Sequence, residues 1–319
     1  DYERPSDLED AFVALGRPNR KVKIMAGGTD LQVGLRQGVY AADSVVDISD
    51  LSDLKGIIFG DGVIRIGAAT TIAELTEHED LLRMHPMLSD GLAKIATRQI
   101  RNVATIAGDL AQEKRCWFFR SGAQCYKAGG VSCPCYAVLG DNRHHSVMGA
   151  GRCAAPCVAD AAPILTALDA SVVIAGRAGE RRVPMTNFYR WSGETVVATN
   201  EIITAIEVPR PNVAHTQAFE KHAGWDGDFA DASVAVHLAW QEDRVIKARI
   251  SLGAVAPLPV RAKSAERALA GSWLTDSAVR AAAEMVIAGA LPLSDNGYKC
   301  NLIVNLTERA LRKNRDQRA

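Results

Sequence analysis

Six cysteines stand within 42 residues: Cys116, Cys125, Cys133, Cys135, Cys153 and Cys157. The seventh, Cys300, lies far down the chain. Thiolates crowded in this way can bind zinc, carry an iron–sulfur cluster or pair as disulfides. Zinc favours compact pairs separated by two residues, and this segment has none. Disulfides need an oxidising compartment and do not explain clustering in one segment of a long chain. A four-thiolate iron–sulfur cluster needs four cysteines that converge in space, which a long loop can supply. Glycines 122, 129, 130, 140, 149 and 151 give this segment the freedom to wrap around such a group. Spacing alone leaves iron–sulfur, zinc and structural thiols all open. His144 and His145 read as solvated polar residues of the same loop. Trp117, Phe118 and Phe119 read as its anchor into the core.

Two glycine-bearing stretches offer a second chemistry. MAGGTDLQVGLRQG spans residues 25–38, and TIAGDLA spans 105–111. Glycine lets backbone N–H groups approach a phosphate with no Cβ between them. Each stretch alone reads more readily as an ordinary tight turn. Neither is the GxGxxG of a dinucleotide-binding Rossmann unit.

Elements must hold these segments in place. Residues 7–15 read as a helix with Ser6 as N-cap and Gly16 as stop. Lys23–Met25 and Val45–Ile48 read as strands, and 57–68 as a hairpin around Gly60-Asp61-Gly62. Thr71 and Glu74 have the spacing of a capping box. Residues 88–100 read as one helix. The stretch from about 113 to 157 has no sustained period, and a loop of that length is usually functional. A boundary falls near 207–211. Strands follow at about 217–222, 232–240 and 245–254, then helices at about 261–270, 276–290 and 297–313.

With 319 residues the chain is long enough for two cores. Lys+Arg and Asp+Glu are balanced at 37 each, so no basic surplus points to nucleic acid. No apolar run reaches the roughly 18–20 residues of a membrane span. The acidic start DYERPSDLEDAF lacks the apolar core of a signal peptide. The expectation is a cytoplasmic chain, or a periplasmic one if exported folded with a partner that carries the signal.

Taken in order, AGGTDLQVGLRQG, IRIGAATTIAEL at 64–75 and RNVATIAGDLA at 101–111 resemble the flavin-bearing medium subunit of molybdenum hydroxylases. That family includes the xanthine dehydrogenase, carbon monoxide dehydrogenase and aldehyde oxidoreductase enzymes. LGAVAPLPVRAKSAERALAG at 252–271 and YKCNLIVNLTERAL at 298–311 resemble its C-terminal domain. The likeness covers nearly the whole chain. It implies an α+β protein with a two-part FAD-binding domain of the vanillyl-alcohol-oxidase type at 1–209. An α+β C-terminal flavoprotein domain, a sheet with helices, would occupy 210–319.

It also implies a non-covalent FAD. Ala26, Gly27, Gly28, Thr29, Asp30 and Leu31 would cradle the pyrophosphate, with Thr105, Gly108 and Asp109 in the second loop. Asp160 and Lys221 match family residues near the nucleotide and the flavin. Trp225 stands where the family usually has an arginine, which leaves the flavin's edge and its acceptor open. A subset of these subunits inserts a cysteine loop after TIAGDLA to hold a [4Fe–4S] cluster. These are the 4-hydroxybenzoyl-CoA reductase type and a bacterial aldehyde oxidoreductase type. RCWFFRSG and LGDNRHHSVMG look closest to the latter.

By that resemblance Cys116, Cys125 and Cys153 are ligands. The third position lies between Cys133 and Cys135, with Cys133 favoured, and Cys157 is a buried free thiol. The implied partners are a large molybdenum-cofactor subunit, which holds the substrate site, and a small [2Fe–2S] subunit. A dimer of such heterotrimers is left open. The chain would be an electron-transfer oxidoreductase subunit. A self-contained FAD-dependent oxidase and a zinc-stapled assembly subunit are the competing readings.

Overall fold

The structure, a computed structural model, describes residues 1–318. Its first unit is a small parallel sheet in the order Tyr2–Glu3, Ser44–Asp47, Val22–Met25. Helix Leu8–Leu15 packs on it through Ala11, Phe12, Ala14 and Leu15. The N-cap is Asp7 and not Ser6: its carboxylate accepts the Asp10 N–H at 2.8 Å. The strand Val22–Met25 runs directly into the first glycine loop.

The second unit is an antiparallel sheet in the order Ile57–Phe59, Val63–Gly67, Ile202–Pro209, Ser171–Gly176, Gly179–Pro184. Its first hairpin turns through residues 60–62 as the glycines require. The central strand returns from far along the chain, so this sheet closes only after the cysteine segment has been spanned. Helices Ile72–Glu77, Pro86–Leu92, Ile106–Ala111 and Ala161–Ala167 cover one face. The last of these is buried at all seven positions. Burying Ile164 and Leu165 contributes about 1.5–3 kcal/mol each. Thr71 and Glu74 form the expected capping box, with the Thr71 N–H donating to Glu74 at 2.7 Å.

Residues 88–100 are not one helix. Helix Pro86–Leu92 stops, and a new turn, Arg98–Arg101, starts with Thr97 as its N-cap. Between them Ala96 adopts φ +47. This costs a non-glycine residue energy and persists only where surroundings impose it. Here they do: the Ala96 N–H donates to the Gly227 carbonyl at 3.0 Å.

The third unit is a sheet in the order His215–Ala223, Ala230–Gln241, Arg244–Gly253, Val260–Arg261. Helices Lys263–Leu269, Asp276–Met285 and Tyr298–Asp316 pack on it over a separate core. The register slips between His222 and Ala223. A bulge of this kind bends a hairpin, and here the tip, residues 224–229, reaches back to the first two units. Gly227 adopts φ +92 at that tip, and a Cβ there would lie 2.6 Å from the Ala96 carbonyl oxygen. The mixed helix-and-sheet architecture matches the expected α+β class.

Residues 113–157 are less loop-like than their composition suggests. They hold two short helices, Trp117–Arg120 and Tyr126–Gly129, and a 3₁₀ turn at Tyr136–Val138. No helix among the described residues is long and apolar enough to cross a membrane.

Candidate functional site: a glycine-lined cleft beside a cysteine cavity

A cleft of about 540 Å³ opens between the three units. Both glycine loops line it, as do the segment 95–97, the residues Gln112, Glu113 and Arg115, Asp160, and the hairpin tip with Trp225, Asp228 and Phe229. A volume of this size is typical of ligand and cofactor sites.

The first loop is shaped by close backbone approach. A Cβ on Gly27 would overlap the Val103 carbonyl oxygen, so only glycine lets the two loops meet. Gly28 takes φ +70, in the left-handed region that glycine enters without strain. Among the described residues, the N–H groups of Gly28, Thr29 and Asp30 find no protein acceptor. Consecutive free N–H groups around such a turn make an anion-binding concavity.

Ala26 and Leu31 also line the cleft. Asp30 lines it too, but its carboxylate is engaged elsewhere. It accepts from the Tyr40 hydroxyl at 2.7 Å and the Glu113 N–H at 3.2 Å, and lies 2.9 Å from Arg115. Burial and this bond push the Tyr40 hydroxyl well above its usual range. Asp30 therefore holds Tyr40 and Arg115 in place.

The second loop is organised from within. Thr105 Oγ1 accepts the Gly108 N–H at 3.2 Å, capping helix Ile106–Ala111. Asp109 accepts the Ala161 N–H at 3.0 Å and the Gln112 amide at 2.9 Å. Burial, then the neighbouring Asp160, pushes its carboxyl up to about 7. Burial also raises Asp160, against the pull of Lys221 at 2.6 Å. Lys221 donates a second bond to the Lys94 carbonyl at 2.9 Å. Lys221 is thus a buried strut from the third unit to the wall of the cleft.

Arg115 escaped the sequence analysis, because it reads as one more polar residue of the cysteine segment. Its guanidinium stacks over the Phe229 ring at 4.7 Å and pairs with Asp30. Its Nε is buried without a partner, which calls for an acceptor in the cleft. Free N–H groups at a glycine turn, an unpartnered guanidinium nitrogen and the volume together fit the diphosphate of a dinucleotide such as FAD.

One residue along, Cys116 faces a second cavity. Cys116, Cys125, Cys135 and Cys153 all line it, with Lys114, Phe118, Phe119, Tyr126, Lys127, Tyr136 and Ala137. Its volume is about 10 Å³, room for roughly one water. Cys153 hydrogen-bonds Cys135, which lowers the Cys135 thiol and raises that of Cys153.

Cys133, the favoured third position, does not line this cavity. Its N–H donates to the Gly130 carbonyl at 3.1 Å, and this turn places Cys133 beside Gly129. Cys135, two residues on, takes the inward place. Cys157 lies outside as well. Its thiol is buried beside Tyr189 and pushed up to about 12 by that burial. Among the described residues, no three His, Cys, Asp or Glu side chains form a group that could hold a metal ion.

Two other expectations fail here. His145 is buried, 4% exposed, with Nε2 3.3 Å from Cys116 Sγ. Trp117 is 53% exposed and no anchor, whereas Phe118 and Phe119 wall the cysteine cavity.

Residues 1–211 match the family model described as the FAD binding domain in molybdopterin dehydrogenase. Residues 217–314 match the CO dehydrogenase flavoprotein C-terminal domain. The chain is 30% identical over 306 residues to the aldehyde oxidoreductase FAD-binding subunit of Escherichia coli K12, covering 93% of this chain and 92% of that one. It is 27% identical over 315 residues to the carbon monoxide dehydrogenase medium chain of Hydrogenophaga pseudoflava, covering 98% and 95%. Its fold superposes on the solved carbon monoxide dehydrogenase of that organism with a TM-score of 0.81 at 27% identity, covering 98% and 96%. It superposes equally on quinoline 2-oxidoreductase from Pseudomonas putida 86, with a TM-score of 0.81 at 25% identity, covering 99% and 97%.

Proposed function

Because the chain belongs to the family of FAD-binding subunits of molybdopterin dehydrogenases, we propose that it is the electron-transfer flavoprotein of a heterotrimer, carrying one [4Fe–4S] cluster beside its FAD. The partners would be a large molybdenum-cofactor subunit with the substrate site and a small [2Fe–2S] subunit. Relatives named medium chain or FAD-binding subunit support this division of labour. Residues 1–209 would hold FAD, and 210–319 would brace it through Lys221 and the hairpin tip.

FAD supplies the ability to exchange electrons singly or in pairs. The residues of this chain bind and orient it. Gly27 and Gly28 bring free N–H groups to the diphosphate, with Ala26, Thr29 and Leu31 completing the loop. Asp30 keeps Arg115 facing the same groups. Thr105, Gly108 and Asp109 form the opposite wall, and Asp160 with Lys221 fixes its depth.

The cluster reading rests on the four cysteines that line one cavity, and it places Cys135 rather than Cys133 beside Cys116, Cys125 and Cys153. A single zinc ion would need its thiolates about 2.3 Å from one point. A four-iron cluster would take each thiolate on its own iron. Gly122, Gly130, Gly149 and Gly151 all sit at positive φ in this segment and give it the freedom to widen. The covalent sequence also supports a redox role: Arg115 lines the flavin cleft while Lys114 and Cys116 line the cysteine cavity.

The chain purified without oxygen should hold about four irons and as many acid-labile sulfides per FAD. Cys135→Ser should lose them and keep FAD, whereas Cys133→Ser should keep both. Zinc in place of iron would overturn the cluster reading. Substrate turnover by the isolated chain would favour the self-contained oxidase.

A further inference from the structure

Lys114 is 1% exposed. Among the described residues its Nζ has one polar partner, Cys153 Sγ at 3.7 Å. A buried ammonium without an opposing charge is strongly destabilising. Neutral thiols do not offset it, and an anionic thiolate site does. At a second cysteine, His145 Nε2 lies 3.3 Å from Cys116 Sγ, and His145 Nδ1 is buried with no partner. With its proton on Nε2, the ring donates to that sulfur.

We propose that Lys114, seconded by His145, compensates the negative charge of the four-thiolate site and sets the reduction potential of the cluster held there. This rests on the cluster reading above. Hydrogen bonds to sulfur and net charge are the levers that place such clusters within their wide range of potentials. One-electron reduction adds a negative charge. The Lys114 cation stabilises the reduced form more than the oxidised one, because the attraction grows with charge at fixed distance. Lys114 therefore raises the potential, and His145 adds a smaller neutral contribution of the same sign. Neither residue is a ligand; both are positioning residues.

The test is a dithionite titration of the anaerobically purified chain, followed by electron paramagnetic resonance, with iron and FAD quantified first. Lys114→Met should move the cluster midpoint to more negative potential and leave the FAD midpoint in place. Lys114→Arg should keep the cluster close to wild type, and His145→Leu should shift it less than Lys114→Met does. Iron retained by Lys114→Arg but lost by Lys114→Met would also support the proposal, since it makes the charge a condition of assembly. A Lys114→Met cluster with an unchanged or higher midpoint would overturn it. So would loss of iron from both Lys114 variants with FAD retained, which would make the side chain a packing element. Wild-type chain with FAD and no iron would instead bring down the cluster reading itself.

Discussion

The glycine-lined cleft has about 540 Å³ of room, and the cysteine cavity has about 10 Å³. The cleft draws its walls from all three sheet units. Four cysteines and a buried lysine from residues 114–153 line the cavity. The same strap of chain serves both, since Glu113 and Arg115 face one and Lys114 and Cys116 the other. The difference concerns what holds each site open. A cleft built where rigid units meet keeps its shape through the fold. A cavity lined by thiols on short helices and glycine turns takes its shape from one segment of chain. Damage to the unit contacts should therefore harm the cleft first, and damage to the four cysteines should harm the cavity alone.

The strongest way to break the comparison is to remove the strut between units. Lys221 and Asp160 are both buried, with side-chain exposures of 4% and 7%. Lys221→Met would leave Asp160 as a buried carboxylate without its cation. Breaking one partner of such a pair costs about 3–5 kcal/mol. Thermal melting should show a lower midpoint and FAD should be lost, while the cluster proposed for the cysteine cavity persists in whatever chain stays folded. A variant with wild-type stability and full FAD would mean the third unit does not brace the cleft.

A milder change sharpens the contrast at one backbone position. Gly27→Ala would drive a methyl into the Val103 carbonyl, and Val103 belongs to the backbone leading into the second loop. Overpacking of this kind costs roughly 1–3 kcal/mol. That corresponds to about 5- to 150-fold weaker FAD binding if the loops part to accommodate it. The iron of the proposed cluster should not change. Unchanged FAD affinity in a calorimetric titration would show that the contact between the loops is not what shapes the cradle.

The two sites also differ in how far they could be read from residues alone. The glycine loops were legible through their order along the chain: Gly27-Gly28 and Gly108 each allow close backbone approach, and only their succession pointed to one site. The capping box at Thr71 and the long hairpins of the third unit were legible from local pattern. Ala96 was not. Nothing in GLAKIATRQI breaks a helix; the break is imposed by the Gly227 tip, more than a hundred residues away. Lys114 and His145 were hidden in the same way, because a lysine or histidine in a polar segment reads as solvated until the fold buries it. Between Cys133 and Cys135 the spacing could not choose. A turn at Gly130 decides which thiol faces inward.

Acid should distinguish a third place, where the second and third units meet away from both sites. His85 Nε2 lies 3.1 Å from the Pro209 carbonyl oxygen, and its Nδ1 lies 3.0 Å from the Gln217 amide. His237 sits against the His215 ring at 5.6 Å. Burial holds both His85 and His237 down to about 4. In the unfolded chain each would titrate near 6.5. Between those values the unfolded state binds more protons, so stability is full above pH 6.5 and falls as the pH drops towards 4. At pH 5.5 each histidine should subtract on the order of 1 kcal/mol relative to pH 7.5. Asp109 works in the opposite direction, since its carboxyl is raised to about 7 and its protonation in the folded state favours folding as the pH falls. Urea unfolding at pH 7.5 and 5.5 separates the two signs. His85→Gln should flatten the acid loss and Asp109→Asn should steepen it. If His85→Gln leaves the slope untouched, His85 is not where acid acts, and the acid loss would have to come from His237 alone.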